Sequence, residues 1–439
     1  MTGALAELVA RARADDIALH SLEATLDGCV IASAAPAHAS VHTPHRMYSV
    51  AKSLTGLVVL ALAEEGRIDL DDPIARFFPE AGSVPRLTAE TRIRDVLAMR
   101  GPHARTTYRE EEGDWLASYF RVAPTHRAGT LFTYDTSGSY ALSALVERVE
   151  RAPLEDVFRA RIFAPLGAGR GMRVLTGPEG IGHGGSGLIC TPRDLLTIAT
   201  EVTAGGGRAF APSVVRQALA RASDAATQTW GGSLRAGYGA QIWLPPGGGW
   251  MMFGLGGQVA FGDPARGLVL VVTANAQACQ SGDQRLAGLV RDAARELDPA
   301  DPAPALEWPA PAHDPARAVP GAGAWGRIAG EGAPGVIRAA LGRERAEIEA
   351  GELRLDVPLG VPAPVEVAGL GRGVATAGWS GPGVLDVVVD ISADDIARLR
   401  ARFVATADGL LTVQAQGFGP AVGRAHTWVG TFRPDAQAG

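Results

Sequence analysis

The chain has 439 residues, 46% of them hydrophobic and 20% charged, and a formal net charge of −6. That balance supports a sizeable buried core divided over two or three domains. It excludes a fibrous protein, because the 56 glycines follow no period, and the lack of a basic patch argues against a nucleic-acid partner.

The first residues, MTGALAELVARARADD, mix acidic and basic side chains and lack the basic start and apolar core of a signal peptide. No apolar run of about 18 residues follows elsewhere, so a cytoplasmic location without a membrane partner is expected. Residues 17–34 read as two short strands around Asp27-Gly28, a strong two-residue hairpin signal. Residues 49–65 form a long apolar helix ending at Gly66, followed by a loop and short helix in RIDLDDPIARFFPE. Further helices are predicted over 137–150 and 191–207, the latter with Pro192 early and glycines past its end.

Between 238 and 275 the pattern turns to strands, in GYGAQIWL, WMMFG, QVAFG and LVLVVTANA, and 282–298 is a helix. Strands and helices in this order suggest an antiparallel sheet sharing its faces with helices. Residues 299–320 carry seven prolines and read as a linker. The stretch 321–439 reads as a small, mostly β domain with a turn signal about every ten residues. The expected division is therefore 1–298, a linker at 299–320, and 321–439.

Three widely spaced cysteines, Cys29, Cys190 and Cys279, form no CxxC and are expected to be reduced. No metal-ligand spacing and no phosphate-cradling glycine motif occurs, so neither a metal nor a cofactor is expected.

The chain contains a single lysine, Lys52; its 40 other basic residues are arginines. Arginine stays protonated at any accessible pH, whereas a desolvated lysine can lose its proton. Ser49 lies three residues upstream at the start of the apolar helix, a spacing that puts both side chains on one face. Free N–H groups at a helix N-terminus favour developing negative charge, and a neutral lysine can activate a serine hydroxyl. A capping serine beside a solvent-facing lysine is the plainer alternative, which the apolar surroundings of Lys52 disfavour.

The segment HRMYSVAKSLTGLVVLALAEEGRIDLDDPIARFFPE resembles the nucleophile region of the serine β-lactamase-like superfamily. That group includes class C β-lactamases, DD-peptidases, esterases and 6-aminohexanoate-dimer hydrolases. A second segment, RAGTLFTYDTSGSYALSALVERV, resembles the superfamily's Tyr-x-Asn element, with Tyr134 at the tyrosine position and Thr136 replacing Asn. Thr136 and Ser137 also fit an ordinary helix N-cap. The third element, a Lys/His-Thr-Gly on a strand, is best matched by MMFGLGGQ, which puts Met252, Phe253 and Gly254 there without the cation.

The resemblance covers about residues 17–298. It implies an α+β, β-lactamase-like α/β-sandwich with a helical insert over ~70–180, to which the C-terminal mostly β domain is appended. It implies Ser49, Lys52 and Tyr134 as the catalytic set, and the N–H groups of Ser49 and Leu255 as the oxyanion hole. Asp135, Thr136, Gly254, Gly256 and Gln258 are the implied substrate contacts. The expected activity is hydrolysis of a small ester or amide through an acyl-enzyme. Acyl transfer by the same intermediate and a non-catalytic binding module are the alternatives; the missing cation disfavours a true β-lactamase. His183, in GIGHGGSGL, is expected to be a turn residue, and the acids of REEEGDW (109–115) a solvated loop that reaches a cationic substrate only if it lies on the rim.

Overall fold

The computed structural model describes residues 3–110, 113–228, 230–392, 394–420 and 422–435. Its first sheet has seven antiparallel strands in the order Cys29–Ala34, Ala18–Leu26, Leu268–Asn275, Gln258–Asp263, Trp250–Gly254, Trp243–Leu244 and Gly237–Tyr238. The hairpin turn falls on Asp27 and Gly28, both at positive φ (47° and 80°), as a tight primed turn requires.

The central strand Leu268–Asn275 is buried on both faces. Leu268, Leu270 and Val272 pack toward the Ala4–Ala14 and Gly282–Glu296 helices. Val269 and Val271 point the other way, toward the Val50–Glu64 and Pro192–Thr203 helices. Period-two alternation thus serves two cores from one strand. The Pro192–Thr203 helix starts with a capping box between Thr191 and Asp194.

The strand expected over GYGAQIWL is interrupted. Only Gly237–Tyr238 and Trp243–Leu244 pair, because Gln241 between them adopts φ +60°. Its side chain turns inward, accepting from Ser139 and donating to the Val96 and Leu97 carbonyls. A buried amide satisfied on all sides can hold such a residue out of the ladder.

The second sheet has ten antiparallel strands, from Gly321–Glu331 to Trp428–Pro434, with the first paired to the last. Its edge strands, Leu353–Pro358 and Ala363–Val367, follow one another in the chain, so the sheet curls back around one interior containing Trp379, Leu385, Phe403 and Phe432. The proline-rich segment between the two sheets is docked along the surface. Trp308 is buried, donates to the Ala37 carbonyl at 2.6 Å and lies against the His20 ring. Arg398 of the second sheet, also buried, donates to the backbone carbonyl and carboxylate of Asp16, both at 2.8 Å. The three cysteines are unpaired.

Candidate active site

The Val50–Glu64 helix is apolar on almost every side and buried from Val50 to Leu60, as expected of a helix enclosed by other elements. Ser49 stands at its N-cap with helical dihedrals (φ −66°, ψ −5°), and its hydroxyl caps no backbone N–H. That hydroxyl instead accepts a hydrogen bond from Lys52 Nζ at 3.0 Å. Nζ also donates to the Gly185 carbonyl at 2.7 Å. Lys52 is only 1% exposed. Burial lowers its pKa from 10.5 to about 7; the nearby Arg109 charge lowers it further, while Asp135 opposes the shift. The lone lysine is therefore poised between charged and neutral forms near neutral pH.

Gly185 explains the glycine-rich stretch around His183. A side chain at Gly184 would meet Thr55 Oγ1 at 2.4 Å and Ser143 Cβ at 2.7 Å, and one at Gly185 would meet Thr136 Cγ2 at 2.8 Å. The segment squeezes between the Val50–Glu64 and Thr136–Glu150 helices, and only glycine brings its carbonyl to Lys52. His183 is buried among Tyr108, Trp115 and Tyr140. Burial, then the Lys52 and Arg46 charges, lower its pKa to about 3, so it is neutral.

Tyr134 approaches from the other side. The Lys52 ammonium lies 5.0 Å from its ring centroid, and Ser49 hydrogen-bonds its phenol. Burial raises the phenol above its ordinary pKa, with the Ser49 hydrogen bond pulling the other way. The ring stacks on Trp243 (5.5 Å) and meets Trp230 edge-on (4.8 Å), an arrangement the motif did not reveal.

Asp135 is buried, and its carboxylate is spent as the N-cap of the Thr136–Glu150 helix, accepting from the Ser137 and Gly138 N–H groups and the Ser137 hydroxyl. Burial raises its pKa to about 6 against those donors. Thr136 is half-buried beside Gly185, its N–H bonded to Thr106. The cap role considered for Thr136 and Ser137 thus belongs to Asp135, one residue earlier.

The third segment ends the Trp250–Gly254 strand. A Cβ on Gly254 would lie 2.3 Å from the Met47 carbonyl oxygen, so glycine there permits the strand to touch the backbone leading into Ser49. Leu255 follows, 37% exposed. Gly256 and Gly257 turn the chain at φ +76° and +94°. Gln258 is fully buried; its amide donates to the Leu255 and Ala274 carbonyls, and its oxygen pairs with His45. It braces the turn carrying Leu255 and offers no free group to a ligand. Glu111 and Glu112 of the acidic loop lie outside the described residues. Among the described residues no cluster of His, Cys, Asp or Glu fits a metal ion, and no helix is long and apolar enough to cross a membrane.

An antiparallel sheet flanked by helices, with a Ser-x-x-Lys helix start at the junction of sheet and helical insert, defines the serine β-lactamase-like class. The chain belongs to the Beta-lactamase family, whose profile matches residues 24–295. It is 29% identical over 201 residues to the 6-aminohexanoate-dimer hydrolase of Paenarthrobacter ureafaciens, covering 41% of this chain and 51% of that one. The chain spans about half or less of the length of the curated relatives it matches. Among solved structures, it shares the fold of EstCE1, a hydrolase with promiscuous acyltransferase activity, at a TM-score of 0.55 and 16% identity (66% of this chain, 97% of that one). The octameric penicillin-binding protein homologue from Pyrococcus abyssi aligns over 97% of this chain and 98% of its own, at a TM-score of 0.53 and 15% identity.

Proposed function

We propose that this chain is a serine hydrolase that cleaves a small ester or amide through an acyl-enzyme on Ser49. One observation carries the reading: a buried lysine amine, its pKa lowered to about 7, within 3.0 Å of a serine hydroxyl that caps nothing. The neutral amine of Lys52 takes the Ser49 proton as Oγ attacks the carbonyl carbon. The Tyr134 phenol, its pKa raised by burial, keeps its proton at neutral pH, so it relays hydrogen bonds between Ser49 and the leaving group while Lys52 acts as base. The N–H groups of Ser49 and Leu255 receive the oxyanion, a donor pair worth about 3 kcal/mol each in such sites. The tetrahedral intermediate collapses as the proton held by Lys52 passes through the Tyr134 phenol to the leaving oxygen or nitrogen, which departs as the alcohol or amine. Water then attacks the acyl ester by the same proton route and releases the acid.

The half-buried Trp230 beside Tyr134 and the exposed Leu255 give the site an apolar lip, which favours an uncharged, apolar acyl group. Similarity to a 6-aminohexanoate-dimer hydrolase and to a hydrolase with promiscuous acyltransferase activity supports this chemistry. Transfer to an added amine or alcohol is the second outcome to watch.

Two experiments test this reading. Incubation with a p-nitrophenyl ester should add one acyl mass to the intact protein, mapped to Ser49 and absent from Ser49→Ala; a parent chain that neither carries the acyl mass nor releases p-nitrophenol refutes the proposal. The pH profile gives an independent check. Protonated Lys52 cannot accept a proton, so kcat/KM should fall about tenfold per pH unit below a midpoint near 7 and level off above it. A profile flat from pH 5 to 8 would remove Lys52 as the base.

A further inference from the structure

The hairpin of the second sheet formed by Val384–Ser392 and Ile396–Ala405 reaches the nucleophile. Asp395, in its turn, accepts at the same oxygen, Oδ1, from the Tyr48 hydroxyl and from Arg46 Nη1, each at 2.7 Å. The N–H of Ile396 donates to the Tyr48 oxygen at 2.9 Å. Tyr48 immediately precedes Ser49 and adopts φ +47°, a conformation strained for a bulky residue. Such strain persists only where the surroundings over-determine it. Here the surroundings include another domain.

Two more legs rest on the same turn. Arg46 stacks its guanidinium 4.7 Å from the Tyr48 ring and donates from Nε to the Ser186 carbonyl at 2.9 Å, one residue from the Gly185 carbonyl that holds Lys52. Ile396 packs so closely on Gly256 that a Cβ there would lie 2.0 Å from its Cδ1, one residue from Leu255. One turn of the C-terminal domain therefore touches the segments that present Ser49, the acceptor for Lys52, and Leu255. The Arg173–Asp394 ion pair anchors it from outside.

We propose that Asp395 is a positioning residue for acylation: with Ile396 it clamps Tyr48, and so fixes the backbone of Ser49 from the C-terminal domain. The inference rests on the acyl-enzyme reading above and goes beyond it, because it makes the C-terminal domain part of the working site. The Asp395 carboxylate and Tyr48 hydroxyl touch no reacting atom; they act through the turn.

The test uses the full chain with Asp395→Ala, Asp395→Asn and Tyr48→Phe, measuring the acylation burst with p-nitrophenyl acetate, the intact mass, the pH profile and the melting temperature. Asp395→Ala and Tyr48→Phe should slow acylation by about 10²-fold, the scale on which a displacement of about 1 Å acts. The KM should change less than about threefold, since the clamp serves the transition state rather than ground-state binding. The midpoint near pH 7 should stay within about half a pH unit, because burial of Lys52, the largest cause of its lowered pKa, does not depend on Asp395. Asp395→Asn should recover part of the rate, as its carbonyl oxygen still accepts from Tyr48. A parent chain that labels, together with folded Asp395→Ala and Tyr48→Phe chains that acylate within about twofold of it, overturns the clamp alone. A parent that neither labels nor releases p-nitrophenol overturns the acyl-enzyme reading as well. Should Asp395→Ala not fold, Tyr48→Phe, which keeps the ring under Arg46, decides.

Discussion

Exchanging Lys52 for arginine is expected to lower kcat/KM by about 10³-fold, within the range seen when a general base is lost. A guanidinium does not give up its proton at any working pH, so it cannot take one from Ser49. The pocket adds a steric objection, because the amine sits between the Ser49 hydroxyl and the Gly185 carbonyl with 1% of the residue exposed. Lys52→Met separates the two effects: it fits an apolar pocket, carries no base, and should be equally slow.

Stability should move the opposite way in Lys52→Met. The folded-state pKa is lowered from 10.5 to about 7, so between those values the unfolded chain holds the extra proton. Stability of the parent therefore rises with pH across that window, and at pH 7 and below the cost of burying the ammonium is largely present. Removing it should stabilise the chain by on the order of a few kcal/mol near pH 7 and flatten the dependence from pH 7 to 10. Denaturant melts of both chains at pH 7 and pH 9.5 measure this. A Lys52→Met chain that is less stable at pH 7 would show that the amine is not desolvated as described.

Gly254→Ala is expected to cost about 10²–10³-fold in kcat, the scale of a lost oxyanion donor. The new methyl would lie 2.3 Å from the Met47 carbonyl oxygen and 3.1 Å from Gln258 Cβ. Backbone on one side and a fully buried side chain on the other leave no cheap escape, so the strand end carrying Leu255 must retreat from the Ser49 turn. Gly326→Ala is the control. It meets nothing within 4 Å and has no positive φ, so its kcat should match the parent. Equal kcat in the two variants would mean that the approach of Gly254 to Met47 does not matter to the chemistry.

Local features were legible in the sequence because they depend on residues close together in the chain. Ser49 and Lys52 share a face whenever residues 49–65 are helical, and Asp27-Gly28 makes a hairpin turn through its own dihedrals. The solitary lysine was visible as composition, and the apolar run behind it foretold burial. Arg46 and Tyr48, beside Ser49 in the same segment, gave no sign of function, because their partner Asp395 is almost 350 residues away and belongs to another sheet.

Packing also reassigned residues that the motifs placed at the substrate. Asp135 is taken up by a helix N-terminus and Gln258 by the carbonyls of a turn, because buried polar groups take the nearest partners available. The sequence by itself determined the Ser-x-x-Lys pairing, the main helices and the hairpins, all set by periodicity and short-range turn chemistry. Only the tertiary structure decided that this amine is dry, that Gly185 holds it, that two tryptophans back the Tyr134 ring, and that a distant turn grips the residue before Ser49. Desolvation and close approach are properties of the whole packed chain, summed over contacts that no local pattern encodes.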